Sequence, residues 1–169
     1  MSDLPRIQSL APHFRHIIGA FVVMTSVGVF TGFAFLGNTT HLEPQGIVTQ
    51  YKGMDEAQME VAGELKFEKS FRDMLLTTHN HVLGLSPVFL AIGLLYLQCG
   101  KVTRLRSLIA IEPLLSLGLT FGGLWVVRFW FEPFVYVVLL SGFLMFACFF
   151  WMAAVILRSC FRPQPSPGL

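Results

Sequence analysis

Four stretches of this chain are apolar over a length that only a bilayer accommodates. They run from Phe14 to Leu36, Phe71 to Leu97, Leu105 to Val127 and Pro133 to Leu157. Each exceeds the roughly 20 residues that cross a hydrocarbon core of about 30 Å as a helix. Backbone in lipid has no water to bond to, so each stretch has to satisfy its own N–H and C=O groups as an α-helix. Composition agrees: 54% of residues are hydrophobic and 13% charged, against roughly 25% charged in an ordinary soluble domain. The reading is an all-α membrane protein, a four-transmembrane-helix antiparallel bundle forming one domain over residues 1–157.

Basic residues at the span ends set the orientation. Arg6 and Arg15 lie at the start of the first span, Lys101, Arg104 and Arg106 between the second and third, and Arg158 and Arg162 after the fourth. These clusters share one side, which predicts both termini in the cytoplasm of a bacterial inner membrane. The opposite side holds the 37–70 loop, where Glu43, Asp55, Glu56, Glu60, Glu64 and Glu68 outnumber Lys52, Lys66 and Lys69. The polar start of the chain is unlike a cleaved signal peptide, so the first span serves as its own insertion signal. Within the loop, "MDEAQMEVAGEL" has helical spacing of Met54, Ala57, Val61, Ala62 and Leu65, which predicts a short amphipathic helix on the outer surface. The preceding "HLEPQGIVTQYKG" carries Pro44, Gly46 and Gly53 and reads as turns. The Pro-rich tail, residues 158–169, reads as disordered.

The polar residues inside the spans carry what the sequence says about function. "TTHNHVLGLSP", from Thr77 to Pro87, sets His79 and His81 two apart in the second span. His79 lies about 12 Å below Phe71 at 1.5 Å per residue. Intramembrane histidine marks a functional site by default. Successive helical residues turn by about 100°, so the two rings point about 200° apart and one regular helix cannot present both to one ion. Small neighbours, Thr77, Thr78 and Gly84, leave room beside His81. His79 shares its side with Leu75, Leu76, Leu83 and Ser86. Pro87 offers a cause for distortion. His41 follows the first span on the same side and completes a candidate cluster if the chain there folds back into the mouth of the bundle.

Three uses compete for His41, His79 and His81. They bond to hydroxyls and carbonyls and hold helices together, or they are axial ligands of a b-type haem in an aromatic-rich wall. In the third they bind copper with acids such as Glu43 and Asp73. The third and fourth spans contain no histidine, so a haem with two imidazoles requires His41, an unusual geometry or a ligand from a second subunit. His13 and His16, three apart beside Arg15, read as headgroup contacts. Glu112, in "IAIEPLL", sits about a third of the way across. It is expected to face protein, to be protonated and to donate to the carbonyl freed by Pro113, and it is a candidate proton or quinone contact. Arg128 and Glu132 are expected to pair across the outer turn or to meet headgroups.

No phosphate-binding loop, nucleophile elbow, zinc-protease or dinucleotide motif occurs. Cys99, Cys148 and Cys160 make no CxxC pair, and a net charge of +2 without a basic stripe does not suit nucleic acid. The expectation is a small subunit of a bacterial respiratory or redox complex rather than a stand-alone enzyme. It would transfer electrons through a b-type haem on the outer-side histidines and receive them from a periplasmic donor docking on the 37–70 loop. The alternatives are a cofactor-free accessory subunit that packs on larger membrane subunits or on copies of itself, and a membrane copper protein.

Overall fold

The computed structural model describes residues 6–54 and 65–161. Four long helices carry the chain back and forth: α1 (Pro12–Thr40), α3 (Phe71–Leu97), α4 (Arg104–Phe129) and α5 (Val135–Phe161). A short helix, α2 (Pro44–Lys52), lies between the first two. No strand occurs among the described residues. The four long helices are long and apolar enough to cross a membrane, and they alternate in direction, which makes the predicted antiparallel bundle.

Local chemistry explains where the helices start. Ser70 and Asp73 form a capping box: the Asp73 N–H donates to Ser70 Oγ at 3.1 Å and the Ser70 N–H donates to Asp73 Oδ2 at 3.2 Å. Two otherwise orphan donors at the head of α3 are thereby satisfied. Thr103 accepts from the Arg106 N–H at the head of α4. Hydroxyls inside the apolar helices turn back on their own turn. Thr25, Thr31 and Thr39 donate to the carbonyls of Phe21, Val27 and Phe35, which hides each O–H from lipid. α3 runs unbroken through Pro87 and α4 through Pro113.

Helices α3, α4 and α5 pack on one another, while α1 leans on α5 and α2. The three-helix centre is filled by Phe89 and Ile92 of α3, Leu117 and Val127 of α4, and Phe149, Met152 and Ile156 of α5, all fully buried. Phe89 and Phe149 meet with ring centroids 5.9 Å apart. The basic end is tied by Arg15, whose Nε donates to the Cys160 carbonyl at 2.7 Å, and by the Ile7 N–H, which donates to Gln98 O. The head of α1 and the tail of α5 are therefore at the same end of the bundle. Arg106 lies over the Tyr96 ring at 4.3 Å. The three thiols are free.

The loop end departs from the sequence reading in two places. "PQGIVTQYK" is a helix rather than a string of turns. Pro44 stands in its first turn, where a missing N–H costs nothing, and Gly46 is there for space rather than for bending. α2 buries Ile47, Val48 and Thr49 against the bundle. Second, Arg128 and Glu132 do not pair with each other. Arg128 bonds Glu68 at 3.0 Å and donates to the Lys69 carbonyl at 2.8 Å, whereas Glu132 meets Lys52 at 3.2 Å. Both ties bind the long loop to the α4–α5 turn. They form because Met54 N–H donates to Lys66 O and Lys69 N–H to Tyr51 O, which lays residues 51–54 beside 65–69. The amphipathic helix expected around "MDEAQMEVAGEL" falls mostly on residues 55–64, outside the described residues. Of the tail read as disordered, residues 158–161 instead continue α5 to Phe161, because Ser159 and Cys160 pack on the bundle, and 162–169 lie outside the described residues.

Candidate functional site

The site predicted at His41, His79 and His81 is not assembled within one chain. Among the described residues, no three His, Cys, Asp or Glu side chains come close enough to hold a metal ion. His41 is exposed at the end of α1 rather than enclosed by the bundle. It ends α1 in the left-handed conformation, φ 53°, and Leu42 follows at φ 56°. Histidine is among the residues enriched in that region, so backbone geometry explains it. Asp73, a proposed copper partner, is committed to the capping box.

His81 is held on both sides. Its Nδ1 lies 2.8 Å from the carbonyl oxygen of Thr77, one turn earlier. A carbonyl only accepts, so Nδ1 carries the proton. In the neutral ring Nε2 then keeps its lone pair. The imidazole stacks on Phe121 of α4, centroids 4.7 Å apart and planes 27° from parallel. The residue nevertheless faces outward from the bundle. A histidine whose Nδ1–H is bonded to a backbone carbonyl and whose Nε2 is free has the orientation that metal-bound histidines use. Its neighbour Thr78 accepts a hydrogen bond from Trp125 Nε1 at 2.9 Å, which pins α3 to α4 one turn closer to the loop end.

His79 occupies the opposite side of α3, in a shallow groove with Val82, Leu83, Ser86 and Pro87. The Ser86 hydroxyl donates to Val82 O, so it does not engage the histidine. Between the two histidines stands Asn80, also outward-facing. Three consecutive polar side chains thus point about 100° apart and leave α3 without a wholly apolar face at this depth. An amide moved from water into hydrocarbon without a partner costs about 4–8 kcal/mol, and about 1–3 kcal/mol by protein mutation data. An amide in an apolar run is a signal of the same kind as the histidines, visible in the sequence at Asn80.

Glu112 is half-buried on α4, and Cys148 of α5 approaches it. Its Oε1 accepts a hydrogen bond from Ser116 rather than bonding to a carbonyl freed by Pro113. Its Oε2 is buried without a partner among the described residues. Two turns on, Thr120 and Ser141 hydroxyls meet at 2.7 Å across the α4–α5 seam. His13 and His16 face outward at the basic end, His13 against Phe14 with centroids 4.3 Å apart.

Four antiparallel apolar helices of bilayer length, capped at one end by a bound loop, define a multi-pass helical membrane protein. The chain belongs to the Aq_1264_TM family, a transmembrane helical domain, which it matches over residues 41–167. The match takes in α2 to α5 and leaves out α1, the helix that leans on the others from outside. No curated protein and no solved structure matches the chain.

Proposed function

We propose that this chain is a small subunit of a bacterial redox complex in the cytoplasmic membrane, in which His81 supplies one axial ligand to a b-type haem. The observation that carries the reading is the pose of His81, with Nδ1 bonded to Thr77 O, the ring stacked on Phe121 and Nε2 without a bond among the described residues. The fit is for one ligand only, and the second comes from another chain. Bound haem would supply one-electron transfer. The chain's own part is to hold the imidazole still and to wall one side with Phe121. A periplasmic electron donor would dock on the acidic 37–70 loop, where Glu43 and Glu68 are exposed. That placement requires the basic end to be cytoplasmic, as the arginines there favour. A reporter fused after Gly100 should be active in the cytoplasm, and activity there of one fused after Lys52 instead would reverse the orientation.

The experiment is the visible spectrum of the complex extracted gently from its own membrane. A Soret band that His81→Ala removes, and that His13→Ala and His16→Ala leave intact, is the expected result. A colourless complex sinks the haem reading. The second reading is a cofactor-free accessory subunit that packs on larger membrane subunits, and the outward-facing polar residues of α3 favour it independently of any cofactor.

A further inference from the structure

We propose that two copies of this chain pair about a two-fold axis along the membrane normal, through the Asn80 face of α3, with the two Asn80 amides bonded to each other. The face is built for contact. Asn80 looks outward about 14 Å below Phe71 by helical rise, and its amide has no hydrogen-bond partner among the described residues. One turn on, Gly84 opens onto empty space: a Cβ added there meets nothing within 4 Å. One turn before, Leu76 is 57% exposed, and Leu83 beside it is 64% exposed. A polar group next to a small residue, flanked by leucines, is the pattern by which helices associate inside lipid, where hydrophobicity provides no drive of its own.

Three considerations make the occupant a second copy. A carboxamide carries donors and an acceptor at once, so two identical amides satisfy each other with nothing added. Copies of one chain insert with the same orientation, and a two-fold axis along the normal brings residue 80 to residue 80 at equal depth. No formal charge lies on α3 between Asp73 and its end at Leu97, so the faces do not repel. The pairing does not depend on haem. His81 points about 100° away from Asn80 and stays free for another ligand or chain.

The test is disulfide cross-linking of purified chain in lipid vesicles at low protein-to-lipid ratio, so that a second copy is the sole protein partner. Cys99, Cys148 and Cys160 are first replaced by alanine. Single cysteines are then placed at Leu76, Gly84 and, on α1 as a control, Met24. Oxidation should link Leu76→Cys and Gly84→Cys into dimers and leave Met24→Cys monomeric. Adding Asn80→Leu should lower the linked fraction by roughly threefold to tenfold, the range that loss of an interhelical hydrogen bond in lipid covers, and Asn80→Gln should restore it. Asn80 faces outward, so Asn80→Leu leaves the packed core untouched. An unlinked Gly84→Cys, equal linking at Met24→Cys, or linking indifferent to Asn80→Leu would each overturn the proposal. So would cross-linking in native membranes to a different protein alone.

Discussion

Gly46→Ala should cost about 3 kcal/mol, at the upper end of overpacking penalties. A Cβ on residue 46 would lie 1.9 Å from the carbonyl oxygen of Thr40 and 2.7 Å from its carbon, and backbone cannot swing aside as a side chain can. Thr40 is itself fully buried and bonded on every side. Its hydroxyl donates to Leu36 O at 2.8 Å and its carbonyl accepts from the Glu43 N–H at 3.1 Å. The chain reverses there through two left-handed residues in succession, His41 and Leu42, each strained by roughly 1–2 kcal/mol, so there is little slack to absorb a push. α2 should lift, exposing Ile47 and Val48. The measurement is the thermal unfolding midpoint in detergent, expected to fall by about 10 °C for a chain of this size. Gly118→Ala is the control: a Cβ there meets nothing within 4 Å, and removing glycine from a helix gains up to about 1 kcal/mol. Equal midpoints for Gly46→Ala and wild type would show that α2 does not seat as described.

Gly93→Leu should open the basic half of the bundle. Gly93 is buried where α3 crosses α4, and an added Cβ falls 2.9 Å from the Ala110 carbonyl oxygen. Alanine would require a shift of a few tenths of an ångström, but leucine places a branched side chain between two backbones. The cost is about 3 kcal/mol or more, because Ile92, Tyr96 and the Arg106 contact with the Tyr96 ring separate together. Protection of α3 amides against hydrogen exchange from Ile92 to Leu97 should fall, while the Thr78–Trp125 end keeps its protection. Loss of protection spread evenly along α3 would mean that the two ends do not behave as separate packing units.

Some of the site was readable from residue order and some was not. The 200° divergence of His79 and His81 follows from helical rise and twist alone, and the structure keeps α3 regular through Pro87. What His81 touches could not be read: Phe121 lies on another helix, and no periodicity says which aromatic ring a histidine will meet. Glu112 was legible as a costly group, but its bond to Ser116, although four residues away, competed with the carbonyl that Pro113 frees. Arg128 and Glu132 pair elsewhere for a related reason. Their spacing of four suits a continuous helix, but α4 ends at Phe129 and an irregular turn follows. The arginine therefore meets the loop that folds over it.

Sequence alone determined the membrane class, the number of long helices, their alternation and the grouping of basic residues at one end. Each rests on a property that is additive along the chain, namely apolar length against bilayer thickness and charge at span ends. Tertiary structure alone decided that α2 is a helix at all. Its intrinsic preference is weak, with a proline, a glycine and β-branched residues in nine positions, and what holds it is the burial of Ile47 and Val48 against neighbours distant in sequence. Tertiary structure likewise decided that His41 stays exposed at the end of α1 and that Asn80 looks outward. Which side of a helix faces its neighbours depends on how whole helices pack, and three consecutive polar residues can never all be turned inward by one such choice.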